Sequence, residues 1–207
     1  MSPMVQTPES QHHIFTVGDA QEQFRNSTEQ TTGYRDLITL LIDTGFDKPF
    51  QNDSYFDALV LTDVMFRRSK QSVEILTGPA LDGFLCELKE SFIELLKRLK
   101  EVGGKVRIIV LCDKKPEQLK TLELMRQFPD TLNIAFGTQT KPLQHFIVCD
   151  SRIVRVENIH EPITKSTRAD EIKAEVYFND PQKARTLKTF FNAVWTTLKP
   201  EKALSAP

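Results

Sequence analysis

The sequence predicts an α/β fold in which helices cover both faces of a mixed, mostly parallel sheet. Three observations lead there. Leu81, Phe84, Leu85, Leu88, Phe92, Leu95, Leu96 and Leu99 recur at helical spacing, the mark of a long amphipathic helix from about Pro79 to Val102 packed on a sheet. The next segment, Lys105 to Cys112, is apolar at nearly every residue past its start, as a strand is when helices cover both of its faces. From Ser72 onward the order reads strand, helix, strand, helix, strand, which predicts parallel strands joined by right-handed crossovers.

The remaining elements follow from local signals. Residues 1–33 are rich in Gln, Ser, Thr and Glu and read as a polar, partly ordered arm, with a short strand at Ile14–Val17 and a short helix after Asp19. Tyr34 to Asp43 is a buried helix ended by Gly45. A second helix runs from about Ser54 to Ser69, with Phe56, Leu59, Val60, Val64 and Met65 in helical period. Ser72 to Thr77 is a β-rich run broken by Gly78-Pro79, and Gly103-Gly104 stops the long helix. Pro116 to Phe128 reads as a helix and Thr131 to Phe136 as a strand. Leu143 to Cys149 and Ile153 to Glu157 are strands joined by a hairpin turn at Ser151-Arg152. Glu161 to Asp170 is a polar loop, Ala174 to Phe178 a last strand, and Pro181 opens a closing helix that ends near Lys199. The domain so outlined spans 34–198, followed by a flexible tail at 199–207.

Composition narrows the classes. Of 207 residues, 40% are hydrophobic and 27% charged, enough apolar material for a real core. The net charge of −1 argues against a whole-chain basic surface for nucleic acid or membranes, although local basic clusters exist at Arg67-Arg68-Lys70 and Lys97-Arg98-Lys100. These are read as solvated helix ends, or else as a modest phosphate-binding face. Three scattered cysteines, Cys86, Cys112 and Cys149, show no CxxC spacing, so neither a disulfide framework nor a zinc site is expected. No metal or other cofactor is expected. The first residues have no basic start and no apolar stretch, and nowhere do 18 apolar residues run together. No membrane insertion and a cytoplasmic location are therefore expected.

One stretch carries chemistry. In Gln144-His145-Phe146-Ile147-Val148-Cys149-Asp150-Ser151-Arg152-Ile153-Val154-Arg155-Val156-Glu157-Asn158, a strand ends in Asp and returns, after a tight turn, as a second strand and a polar cluster. This resembles the signature segment of the phospholipase D superfamily, H-x-K-x4-D followed by G-S-x-N. The flanks agree: Val73 to Gly104 is similar to the family's first strand and long helix, Lys105 to Leu111 to its next strand, and Asn179 to Trp195 to its closing helix. The resemblance covers about residues 55–198 and implies a layered α/β/α phospholipase D-like domain.

Carried over position by position, the motif is degenerate. Asp150 takes the aspartate place, but Leu143 stands where the nucleophilic histidine belongs and His145 where the lysine belongs. Glu157, Asn158 and His160 occupy the places of the Gly, Ser and Asn. The family reaction runs through a covalent phosphohistidine, and a leucine neither attacks phosphorus nor transfers a proton. Loss of such a nucleophile costs on the order of a thousandfold to a millionfold in rate.

The resemblance therefore implies a catalytically degenerate binding or scaffolding module, whose remnant site is Leu143, His145, Asp150, Asn158 and His160. His145, Asn158 and His160 are its candidate ligand-binding residues. Each has a plainer reading: His145 as a hydrogen-bonded strand histidine, His160 as a surface residue. The alternative function is a divergent phosphodiesterase or nuclease using His145 and His160. A lipid-headgroup binder is disfavoured, because no basic amphipathic helix is present. An active site of this family is built from two motif copies. A chain with one copy implies a homodimer with Leu143 near the two-fold axis, and a partner protein or nucleic acid as further ligand. Single-motif relatives imply, by analogy alone, a bacterial defence or mobile-element context.

Overall fold

The computed structural model describes residues 14–26, 31–112, 120–138 and 144–198. Seven strands form one mixed sheet: β1 (Phe50–Asn52), β2 (Ser72–Thr77), β3 (Lys105–Leu111), β4 (Leu132–Gly137), β5 (Phe146–Cys149), β6 (Ile153–Glu157) and β7 (Ala174–Tyr177). Their order across the sheet is β1-β7-β6-β5-β2-β3-β4. The helices are α1 (Val17–Asn26), α2 (Thr32–Thr44), α3 (Tyr55–Arg68), α4 (Leu81–Glu87), α5 (Lys89–Glu101), α6 (Lys120–Gln127) and α7 (Pro181–Thr197).

The mixed sheet holds as expected, but its parallel part is smaller than the sequence predicts. Only β2–β3 and β3–β4 pair in parallel. The pairs β2–β5, β5–β6, β6–β7 and β7–β1 are antiparallel. The reversal has one origin. The β5–β6 hairpin docks on the free side of β2 running against it, and each later strand continues the alternation.

Alternation along the strands sorts side chains into two apolar layers. On one side, Val73, Ile75, Ile147, Cys149 and Ile153 meet Leu59 of α3, Phe92 and Leu95 of α5, and Leu88 just ahead of α5. On the other, Leu76, Phe146, Val148, Val154 and Val156 meet Ala184 and Phe191 of α7. Glu74 and Arg107 break this second layer as an ion pair, joined by Lys188 of α7. Arg107 also lies over the Phe191 and Trp195 rings at 5.0 and 5.6 Å, so its guanidinium is held partly by aromatic faces.

Caps fix the helix starts. Ser54 accepts from the Asp57 amide at 3.1 Å, and Asp180 from the Lys183 amide at 2.8 Å ahead of Pro181. Thr16 and Asp19 exchange hydrogen bonds as a capping box, which starts α1 at Val17 where the sequence suggested a strand at Ile14–Val17. Thr16 alone keeps a bridge, to Arg168. At the other end of the long helix, a Cβ on Gly104 would meet the Gln71 carbonyl oxygen at 2.4 Å, so only glycine lets the chain pass β2.

Three further differences from the sequence reading are local. The expected single helix from Pro79 to Val102 is interrupted at Leu88, where φ is −97° and ψ 16°. The Ser91 hydroxyl donates to the Leu88 carbonyl there, the kind of side-chain bond that bends helices. β1 was not anticipated. The hairpin turn is centred one residue earlier, on Asp150 and Ser151, both with positive φ (51° and 56°) and closed by the Arg152 amide on the Cys149 carbonyl. That is the mirror-image turn whose twist suits two antiparallel strands, and Asp tolerates it better than most residues.

Leu88 is only 1% exposed despite the helix break, sealed against α3 and the sheet. Leu88→Ala is expected to cost about 2–5 kcal/mol in urea unfolding. A loss under about half a kilocalorie would mean that the stripe does not pack as described.

Candidate functional site

The β5–β6 hairpin presents two ends with different roles. At its turn, the Asp150 carboxylate accepts from the Lys70, Gln71 and Ser72 amides at 2.8, 2.8 and 3.1 Å. Three backbone donors on one carboxylate pin the turn to the start of β2. Asp150 is thus committed to the backbone, and the length of β5 separates it from His145.

The open end carries the polar cluster. Glu157 closes β6, and its amide donates to the His145 carbonyl at 2.9 Å, which carries the ladder one residue beyond β5. Residues 145, 147 and 149 share a face with 153, 155 and 157, so His145, Arg155 and Glu157 all point to the α3–α5 side. His160 follows three residues after the strand and folds back beneath it. The Glu157 Oε2 atom lies 3.2 Å from His145 Nδ1 and 3.0 Å from His160 Nε2. The two imidazoles stand edge to face with centroids 5.2 Å apart. Gly78, at the end of β2, makes room for them: a Cβ there would meet His145 Cε1 at 3.2 Å.

A second line of contacts holds the carboxylate from behind. Arg155 donates to Glu157 Oε1 at 2.5 Å and, through Nε, to Asn52 Oδ1 at 2.8 Å. Asn52 in turn donates to the Ser54 carbonyl, so the site is fixed to β1 and the start of α3. Arg155 is 1% exposed, and one of its terminal nitrogens is buried without a hydrogen-bond partner among the described residues.

Burial alone would raise the Glu157 pKa. The Arg155 charge and the hydrogen bonds from His145, His160 and Arg155 outweigh it and hold the carboxyl well below its ordinary range. His160 moves the other way: its hydrogen bond to Glu157 raises it against the opposing effect of burial, helped by the Glu161 carbonyl at 2.8 Å from Nδ1. Both imidazole nitrogens face acceptors, an arrangement that favours the protonated ring.

Of the residues expected from sequence, the structure brings His145 and His160 together and leaves Asp150 at the opposite end of the hairpin. Asn158 is exposed next to Glu157, its amide bound to the Lys173 carbonyl. Leu143 lies outside the described residues. His160 is partly buried and bonded rather than a surface residue, as its plainer reading had it. The expected solvated clusters are engaged too: Arg67 pairs with Asp63 and Glu94, Arg68 with Asp43, and Arg98 donates to the Phe66 and Ser69 carbonyls that end α3. Arg155 and Glu157 are the site residues that the sequence reading did not select. A charge at alternate positions of an otherwise apolar strand, Ile153-Val154-Arg155-Val156-Glu157, was the signal. Asn52 and Gly78 gave none.

No protein-family model and no curated protein matches this sequence. Solved structures do resemble it. Nuc from Salmonella typhimurium, a phospholipase D family member, superposes over 75% of this chain and 99% of its own at TM-score 0.52 and 14% identity. The fold is phospholipase D-like. NucT from Helicobacter pylori aligns over 73% of this chain and 97% of its own, with TM-score 0.51 and 16% identity. TrmBL2, an archaeal chromatin protein with a novel mode of DNA binding, covers 88% of this chain and 67% of its own at TM-score 0.54 and 14% identity. On this phospholipase D-like scaffold, no helix among the described residues is long and apolar enough to cross a membrane.

The two pKa directions set a stability window. Glu157, lowered, contributes stability above its unfolded value near 4.5 and loses it as pH falls through its folded value. His160, raised, contributes fully below its unfolded value of 6.5 and loses it as pH rises through its folded value. The urea midpoint of His160→Asn is therefore expected to trail wild type most between pH 4.5 and 6.5 and to converge on it at higher pH. A gap that widens with rising pH would contradict the raised His160 pKa.

Proposed function

We propose that this protein is a homodimeric binding module on the phospholipase D-like fold that does not run the phosphohistidine reaction. Its ligand is a partner protein or a phosphate-containing molecule, nucleic acid in particular. The observation that supports this best is the leucine, Leu143, in the nucleophile's place of the motif. A nucleophilic histidine needs a lone pair aimed at phosphorus, and a general acid needs a proton to give. Leu143, in the nucleophile's place in the sequence, supplies neither, and His160 turns both ring nitrogens to acceptors, while His145 meets Glu157 through Nδ1 alone. The cluster still suits an anion, because the Arg155 charge stands behind Glu157 and the His160 pKa is raised toward the cationic form. Dimerisation rests on the single copy of the motif: a leucine in place of a charged histidine makes the middle of the paired site apolar, which favours association over entry of a phosphodiester.

A second reading is favoured by one distance. Two imidazoles 5.2 Å apart, from different segments, are near enough to act on one phosphodiester if Glu157 releases them. In that case the protein is a divergent phosphodiesterase using His145 and His160.

Purified protein is expected to hydrolyse neither bis-p-nitrophenyl phosphate nor single- or double-stranded DNA, with or without divalent metal. Turnover that disappears in His145→Ala would favour the second reading. Light scattering is expected to give the mass of a dimer at micromolar concentration, shifted toward monomer by Leu143→Asp. A strict monomer unaffected by that substitution would end the paired-site argument.

A further inference from the structure

The cluster at the open end of the hairpin has the donor set of a transition-metal site, although neither cysteine spacing nor any familiar histidine motif marks it in the sequence. We propose that His145, Glu157 and His160 form a divalent metal site of the zinc class, with His145 Nδ1, Glu157 Oε2 and His160 Nε2 as ligands.

The three candidate ligand atoms all lie within 4.8 Å of one another. The two edges that meet at Glu157 measure 3.2 and 3.0 Å. Bonds of about 2.0–2.1 Å from a tetrahedral ion to nitrogen and oxygen place its ligands roughly 3.3 Å apart, so small side-chain adjustments would admit the ion. The outer contacts are those that metal-binding groups need. His160 Nδ1 faces the Glu161 carbonyl, which directs the Nε2 lone pair inward in the neutral ring. Arg155 occupies Glu157 Oε1 and leaves Oε2 as the single donor atom. Asn52 anchors Arg155, so the carboxylate cannot swing away without breaking a buried pair.

The side chains of His145, Glu157 and His160 remain 16, 13 and 10% exposed, enough for an ion to enter from solvent. Two histidines and one carboxylate are a common donor set for zinc and related ions. Three protein ligands leave a fourth position of a tetrahedral ion for water or an anionic oxygen. This inference does not rest on the proposed function, since a metal would be held there whether the protein binds, scaffolds or hydrolyses.

The rival ligands in the full chain are the neighbouring His12 and His13 and the exposed Cys86. The test is therefore a cobalt(II) titration of the dialysed full chain carrying His12→Ala and His13→Ala, followed in the visible spectrum. One equivalent is expected to give intense tetrahedral bands, removed stoichiometrically by zinc. His145→Ala and His160→Ala, each checked for folding by circular dichroism, are each expected to weaken binding by roughly tenfold or more. If both variants unfold, stoichiometry and ligand class are read from the folded parent chain, where a thiolate-to-cobalt band in the near ultraviolet would overturn the assignment. So would the absence of saturable uptake of one equivalent, or binding unchanged in either folded histidine variant. Hydrolytic assays stay silent on this outcome, so failure of the metal site and failure of the binding-module reading are distinguishable.

Discussion

Arg155 is a cation almost without access to water, and the open end of the sheet is arranged around that fact. An unpaired buried guanidinium would cost several kcal/mol, so its neighbours are not free to vary. Glu157 supplies the opposite charge, Asn52 accepts the bond from Nε, and β1, the segment that brings Asn52, is held at the sheet edge by β7. The histidines are attached to this frame rather than forming it. Their positions follow from the carboxylate, and the carboxylate's position follows from Arg155.

This ordering explains why the site differs from what the motif positions imply. The family pattern places weight on the residues standing for His, Lys and Asp. In this chain Asp150 ties the turn to β2, and the polar centre is displaced toward Arg155, Glu157 and His160, the last two of which stand where the pattern has Gly and Asn. The scaffold is retained while the chemistry at its edge is rebuilt from different side-chain types.

Much of the fold was legible because its signals are strong and local. The leucine and phenylalanine stripe through Leu88 and Phe92, the Ser54 and Pro181 helix starts and the mostly apolar β3 each encode one element with little reference to the rest. Strand direction was not legible in the same way. Parallel and antiparallel neighbours bury the same apolar residues, and only the docking of the hairpin beside β2 decides between them. β1 is three residues long, too short for any period to show. The site was half legible: His145 and His160 stand out as residue types, but their meeting depends on the chain folding back after β6, and the role of Asn52 depends on a pairing more than 100 residues away in sequence.

The anchorage of Asp150 also bears on how the chain assembles. Its bonds to the amides at the start of β2 span 78 to 80 residues. The parallel unit of β2, β3 and β4 needs only consecutive crossovers. The antiparallel half joins it by closing this much longer loop, and loop-closure entropy and non-local pairing both slow such a step. Until it happens, the β5 side of β2 is an unpaired apolar strand edge in the middle of the future sheet. The interval between the two events is thus when the nascent chain is most open to pairing with another copy, and the turn that fastens the hairpin in place is what ends it.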